Sequence, residues 1–434
     1  MEEGGLISVD KWRAGSQAYF LTHLHADHTR GLTSTWSNGP IYCSRLTAKL
    51  FPFRFPGFDL SLLRVLDTGS WYTLPLLSLA TSGVRVMAID AHHCPGSVMF
   101  LFRGELGCRL YTGDFRWEAG SARARSGRAM LLGALKDESV HMLYLDNTYC
   151  NPSYEFPPRE VAAQQVVDII ASHPQHDIVI GIDSLGKEDL LLHIAQVLKT
   201  KIWVWPERLQ TMHLLGFHDI FTTKTTLTRV RAVPRYSFSI ETLEGLNAMR
   251  PTIGIMPSGL PWVKQSKKDD NLFASLLTSR YKKKEATNDG TSGDKLNRSL
   301  QRAEKFHKYM YSVPYSDHSC FAEIQEFIEL VEPTNLKGIV SLSSCYVDPI
   351  YYFGRLCGAS QLTYRECYMN QIMKGGKRDD HFQTKNCHEN GDSAEPERKR
   401  SRMMGDFRGL RVNRVRALRR VGCGAKISED DSSD

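Results

Sequence analysis

The chain has 434 residues, 41% hydrophobic and 24% charged, and at about 150 residues per domain that length predicts two or three domains. No apolar run approaches the ~20 residues that cross a bilayer, so the composition predicts a soluble protein and excludes a membrane partner built on spanning helices. The net charge of +7 suggests a polyanion ligand, but ten of the 55 Lys/Arg against two of the 48 Asp/Glu fall within residues 397–420, so the near-neutral body must grip a polyanion through local patches and metal ions.

The chain starts Met1-Glu2-Glu3-Gly4-Gly5, without the basic-then-apolar layout of a secretory signal, so its ten cysteines are expected to be reduced. They include no Cys-x-x-Cys pair, which argues against a zinc ribbon or a thioredoxin-type site and leaves most of them as small core hydrophobes. Short apolar runs at 18–21, 84–89, 98–102, 110–111 and 142–145 predict buried strands. Helix and strand then alternate: a helix over 159–172, a strand at 177–182, a helix near 187–198, a strand at 201–205, a helix near 207–215, strands near Ile220 and Val230, and a strand at 252–256. Such βα repetition predicts a parallel sheet covered by helices. Residues 264–302 are polar with few apolar anchors and predict a solvated insertion. Structured sequence is expected to resume at Tyr309, with a helix over 321–330 and a strand over 336–342. Beyond about Lys374 the composition predicts a basic, disordered tail. There Phe407, Arg408, Leu410, Arg411, Val415 and Leu418 read either as a short basic helix that meets a repair partner or as solvated chain.

The chemical signal is Thr22-His23-Leu24-His25-Ala26-Asp27-His28, directly after a predicted strand. In extended backbone alternate side chains share a face, so His23 and His25 can point at one metal. Once the chain turns, Asp27 and His28 can face a second ion beside it, the paired arrangement that phosphodiester hydrolysis often uses. A lone His is more often an ordinary core or surface residue; four ligand-type side chains within six positions are rarely accidental. Imidazole with carboxylate suits zinc, with manganese or magnesium the alternatives at the second position. Asp90-Ala91-His92-His93-Cys94-Pro95-Gly96-Ser97 links two predicted strands through a tight turn; His93, which abuts the turn, is expected inside the site and His92 to be structural. Asp114, in Tyr111-Thr112-Gly113-Asp114-Phe115-Arg116, stands at a strand end where it can bridge two ions. Ser184-Leu185-Gly186-Lys187-Glu188 lies between a strand and a helix, so a cation and helix N–H groups can converge on an anion there; the plainer reading is a Ser184 cap and a solvated Lys187.

In order, HLHADH, DAHHCPGSVMFLF, LYTGDFR, LYLDNTYCNP, SLGKE and PYSDHS resemble the metallo-β-lactamase fold enzymes with a β-CASP insertion, in their DNA-repair nuclease group. LYLDNTYCNP together with HPQH and SLGKE is most similar to the 5′ exonucleases of that group. The likeness runs from about residue 6 to 341, leaving 264–302 and the tail uncovered. It implies an α/β fold: a four-layer αββα domain made by residues 1–152 and a return segment 319–373, with an α/β β-CASP domain, 153–318, inserted between them. It further implies that His23, His25, His93 and Asp114 hold a first metal and Asp27, His28 and Asp114 a second. Asp10 would orient ligands, and Asp146 would hydrogen-bond a ligand histidine. His318 would stabilise the scissile phosphate or protonate the leaving oxygen. By position alone, Asp146 is a strand-end carboxylate and His318 a helix-start residue.

By the same likeness Val340 stands where DNA-processing members have valine and RNA-processing members histidine, although a core valine fits the strand equally. Ser184, Gly186, Lys187 and Ser316 would bind the 5′-phosphate of DNA, with Asp183 in place of a tyrosine usual before this serine. The resemblance thus implies a zinc-dependent 5′-to-3′ DNA exonuclease in repair or telomere processing. Structure-selective endonuclease or ribonuclease activity is the alternative, and an inactive scaffold recruiting repair factors is an alternative of another class. The run Arg398-Lys399-Arg400-Ser401-Arg402 fits nuclear import.

Overall fold

The computed structural model describes residues 6–76, 83–136, 138–259, 302–340, 347–358 and 425–427. The expected insertion, apart from Arg302, and the tail beyond 374, apart from 425–427, lie outside the described residues, as do the basic run and the candidate partner helix. Among the described residues no helix is long and apolar enough to cross a membrane.

Two sheets form the sandwich. In the first, β1 (Ile7–Val9), β2 (Ala18–Phe20), β3 (Ile41–Ser44) and β4 (Leu63–Leu66) run parallel, and β18 (Ala425–Ile427) pairs antiparallel with β1, giving the order β18-β1-β2-β3-β4. The tail was expected to be disordered throughout; Ala425–Ile427 departs from that because an open edge of backbone donors and acceptors on β1 is there to be paired. The second sheet has the order β17-β9-β8-β7-β6-β5, from β5 (Trp71–Leu74), β6 (Val84–Asp90), β7 (Val98–Gly104), β8 (Arg109–Tyr111), β9 (Met142–Leu145) and β17 (Asn335–Gly338). Phe20 and Tyr42 of the first sheet meet Phe100 and Phe102 of the second, and Phe20 stands 5.1 and 5.0 Å from the two rings in edge contact. Because both faces are covered over most of β6 and β7, Val86–Ile89 and Val98–Phe102 read as apolar runs, with Arg85 exposed near the start of β6.

Helices cover the outside. α1 (Arg45–Arg54) lays Leu50 and Phe51 on the first sheet, while α2 (Ala122–Leu135), α7 (Phe321–Val331) and α8 (Pro349–Phe353) cover the second, where Phe327 packs between Phe115 and Trp117. Neither α1 nor α2 was anticipated. Pro52 interrupts the first, and Gly127 and Gly133 weaken the second by about 1 kcal/mol each relative to alanine, so tertiary packing outweighs propensity.

A seven-stranded sheet, order β12-β11-β13-β10-β14-β16-β15, follows from β10 (Asp177–Ile182), β11 (Ile202–Trp203), β12 (Phe221–Thr222), β13 (Val230–Pro234), β14 (Thr252–Pro257), β15 (Glu304–His307) and β16 (Met310–Val313). All neighbours are parallel except β15 with β16. α3 (Arg159–Ser172), α4 (Glu188–Leu198) and α5 (Pro206–Leu214) bury their apolar sides on one face and α6 (Ile240–Asn247) on the other. Regular structure resumes at Glu304, five residues before the expected Tyr309, because β15 is an edge strand whose apolar signal is weak. The strand expected over 336–342 ends at Gly338. Loops leaving the carboxyl ends of β10 and β16, residues 183–187 and 314–318, carry the groups that reach the histidines. In open parallel sheets that edge is where ligands bind.

Candidate metal centre

Asp10 follows β1 with a left-handed φ of 51°. Pairing of β1 with β2 sets it beside Thr22, whose N–H (2.9 Å) and hydroxyl (2.6 Å) both donate to its carboxylate. His28 Nδ1–H donates to the same group at 2.7 Å. Since the Thr22 proton is spent on Asp10, the Thr22 oxygen accepts from His23 Nδ1–H at 3.0 Å, and His23 Nε2 faces inward. Burial, then the neighbouring His28, His25 and His93, push the His23 pKa well below its usual value, so this imidazole is neutral, as a ligand must be. Burial opposes a charge on His28, yet the Asp114 and Asp10 carboxylates raise its pKa well above the usual value.

His93 sits in a turn closed by Ser97, whose hydroxyl oxygen accepts from the N–H groups of His93 and Cys94 at 3.2 and 3.1 Å. Gly96 holds the turn at φ +84°, where a Cβ would lie 2.8 Å from Thr47 Oγ1. His93 Nδ1–H donates to the Asp317 carbonyl at 2.8 Å, and His25 Nε2–H to the Leu185 carbonyl at 3.0 Å. Those bonds fix both tautomers and leave His93 Nε2 and His25 Nδ1 as bare lone pairs 3.0 Å apart. Two acceptors at that separation repel unless a cation stands against both.

Asp114 joins the halves. Its Oδ2 lies 3.8 Å from His23 Nε2 and 3.5 Å from His93 Nε2, and its Oδ1 3.2 Å from His28 Nε2. Asp27 approaches His28 Nε2 at 4.0 Å from the more open side. His318 Nδ1–H donates to Asp146 at 2.7 Å and turns its Nε2 to within 3.8 Å of Asp114 Oδ2. Among the described residues, three sets of side chains have ligand atoms within 4.8 Å of one another: His23, His25, His93 and Cys94; His23, His28 and Asp114; and His93, Asp114 and His318. His23 Nε2 is buried without a hydrogen bond, which a metal would satisfy. The residues therefore fit metal ions, whose chemistry here is that of imidazole and carboxylate donors.

Comparison with known proteins agrees with this geometry. Residues 217–344 match the family described as DNA repair metallo-beta-lactamase. Over 343 residues the chain is 38% identical to the 5′ exonuclease Apollo of Mus musculus, covering 78% of this chain and 54% of that protein. It is 37% identical to the Gallus gallus protein of that name over 349 residues, 80% of this chain and 64% of that one. With the DNA cross-link repair protein SNM1 of Arabidopsis thaliana it shares 34% identity over 348 residues, 77% of this chain and 63% of that one. The chain carries a DNA repair metallo-beta-lactamase domain over residues 217–344. It spans less than two thirds of the length of each of these relatives.

Two residues stand closer to the candidate ligands than the sequence alone suggests. His318, expected to face the phosphate, also has a ring nitrogen within 4.8 Å of ligand atoms of His93 and Asp114. Cys94 was read with the core cysteines; it is buried and unbridged, like Cys43, Cys108, Cys150, Cys320 and Cys357, but its sulfur borders the imidazoles. Burial pushes its thiol well above the usual pKa, so it is protonated at neutral pH. The adjacent string HHC was the available signal. His92 turns away at φ +56° and packs on α2, where a Cβ on Gly127 would lie 3.0 Å from its ring. Val340 exchanges backbone hydrogen bonds with the Asn147 side chain, next to Asp146, and buries its own side chain between the two sheets.

Three of the four residues expected to bind a phosphate are already engaged. Lys187 is buried with its Nζ 2.7 Å from Asp317 and 3.9 Å from Asp183. Burial works against the charge on Asp317, but Lys187 holds its carboxyl well below the ordinary range. Asp183 also pairs with Arg235 at 3.2 Å. Gly186 N–H donates to Glu188 at 3.0 Å rather than pointing outward, and Ser316 Oγ bonds both the N–H and the carbonyl of His318. Ser184 alone is exposed. Beside these residues a cavity of about 390 Å³ opens next to His93, lined by Arg45, Arg123, Arg159 and Lys187 together with Asp90, Asp189 and Asp317.

Proposed function

We propose that the protein is a metal-dependent 5′-to-3′ DNA exonuclease that prefers 5′-phosphorylated ends and acts in the nucleus in repair of crosslinks, double-strand breaks or telomere ends. The observation that carries this reading is the convergence of His23, His28, His93 and His318 nitrogens on Asp114 at 3.2 to 3.8 Å, each imidazole anchored at its other nitrogen. The names of the relatives, an exonuclease and cross-link repair proteins, support the substrate class. Residues 1–152 and 319–373 would form the metallo-β-lactamase domain and 153–318 the β-CASP domain, with DNA single strands and duplex ends in the cleft between them. Repair proteins would be met by the tail.

His23, His25, His93 and Asp114 would hold one ion, and Asp27, His28 and Asp114 a second. Zinc suits this donor set, with manganese or magnesium the alternatives at the second position. Bound there, the ions supply a nucleophile at neutral pH and neutralise charge on the phosphate. The chain's own contribution is orientation. Asp10, held by Thr22, sets the ring of His28; Asp146 sets the ring of His318. His318, half-buried at the cleft, is placed to steady the scissile phosphate or to give the leaving oxygen its proton.

The test compares DNA ending in 5′-phosphate, DNA ending in 5′-hydroxyl, hairpin DNA and RNA, with Asp27→Ala as control. Faster release of 5′ mononucleotides from phosphorylated ends is expected; equal rates on both ends would overturn the exonuclease reading. One observation favours a structure-selective endonuclease instead: Asp317 and Asp183 already neutralise Lys187, which lowers the cation's value to a terminal phosphate.

A further inference from the structure

His25 is steered from the inserted sheet. Its Nε2–H ends on the Leu185 carbonyl, 160 positions along the chain. On either side, the carbonyls of Ser184 and Gly186 both accept from one guanidinium, Arg208 of α5: Nη1 takes the first and Nη2 the second, at 2.8 Å. A rigid fork that holds the carbonyls on either side fixes the bend at residues 184–186, and the carbonyl between them, that of Leu185, is the one that reaches His25. Glu188 completes the clamp, since its carboxylate pairs with Arg208 at 2.8 Å and accepts the Gly186 N–H at 3.0 Å. Gly186 at φ +101° and Lys187 at φ +64° bend the loop back onto it.

Stability alone gives little reason for this arrangement. Arg208 is 1% exposed, and its Nε finds no hydrogen-bond partner. Burying such a pair costs desolvation, and an apolar replacement of similar volume is often neutral or better. What the charged fork provides, and an apolar side chain would not, is the direction of the Leu185 carbonyl.

We infer that Arg208 is a positioning residue for the metal centre: by clamping residues 184–186 it makes the Leu185 carbonyl the acceptor that selects the His25 tautomer with Nδ1 bare for a metal. Metal affinity is thereby tied to the docking of the inserted domain onto the histidines. The inference rests on the reading of His25 as a ligand.

The experiment measures zinc affinity by chelator competition and the absorption bands of the cobalt-substituted full chain, with thermal melting in parallel. Arg208→Met/Glu188→Gln removes both charges at near-constant volume, Arg208→Lys keeps the charge without the fork, and His25→Ala deletes the ligand. Zinc affinity should fall about tenfold in each Arg208 variant, the low end for outer partners of a ligand histidine, with shifted cobalt bands and a melting point little changed in Arg208→Lys. If the double variant does not fold, Arg208→Lys decides the matter. Unchanged affinity and spectrum in the Arg208 variants, with His25→Ala impaired, overturns the inference. Unchanged affinity in His25→Ala overturns the ligand reading beneath it.

Discussion

His23 and His28 lean on Thr22 and Asp10, no more than 18 positions away, whereas His25, His93 and His318 lean on Leu185, Asp317 and Asp146 at separations of 160, 224 and 172. The near half is assembled by one parallel strand pair and the turn after it. The far half depends on the loops that follow β10 and β16 and on the carboxylate at the end of β9. Identical imidazole chemistry thus rests on two supports of different range, and part of the far support comes from the loops of the seven-stranded sheet.

Asp114 serves both halves, so Asp114→Asn is expected to have the largest effect, reducing turnover on DNA to that of the metal-stripped protein and lowering metal content measured by mass spectrometry. Retention of full metal content would break the picture of a shared bridge. His318→Ala comes next: kcat should drop by about 10²–10⁴ with KM little changed, the range for a lost proton donor. Were metal content to fall as far as in Asp114→Asn, His318 would belong among the ligands rather than beside them. Asp10→Asn replaces the acceptor of three hydrogen bonds in the near half and should weaken metal binding or activity by about 10–100-fold. That loss should not depend on the Arg208 clamp, so combining Asp10→Asn with Arg208→Lys should give additive losses; strong non-additivity would show that the halves are one unit.

The smallest expected effect is on acid stability. Burial, then His318, pushes the His93 pKa down to about 3, and His23 is likewise well below 6.5. Both folded values lie under the unfolded one, so the unfolded chain takes up protons first as pH falls. The contribution of both groups is complete above about 6.5, and that of His93 is lost between there and about 3. Melting temperatures of metal-stripped protein should decline over that window, less steeply in His93→Gln. An equal slope in that variant would remove His93 as the cause.

Much of the frame was legible because it is written in short-range pattern. The apolar runs of β6, β7 and β9 and the spacing of α3 and α4 are local signals, and the structure places elements there. α1, α2 and β15 were illegible for the converse reason: Pro52, the glycines of α2 and the polar edge strand are held by their neighbours rather than by their own sequence. At the site, Thr22–His28 and the Pro95-Gly96 turn are short-range signals, and the structure brings His23, His28, His93 and Asp114 close together while His92 turns away at φ +56°.

Sequence by itself determined the ligand types and the strand ends that carry them, since alternation along a strand and a turn of fixed conformation act over a few residues. Only the tertiary structure decided that Asp317 occupies Lys187, that Cys94 borders the imidazoles, and that Arg208 aims the Leu185 carbonyl at His25. Each of those contacts joins segments brought together by the ends of separate sheets, and no pattern within either segment encodes the other's position.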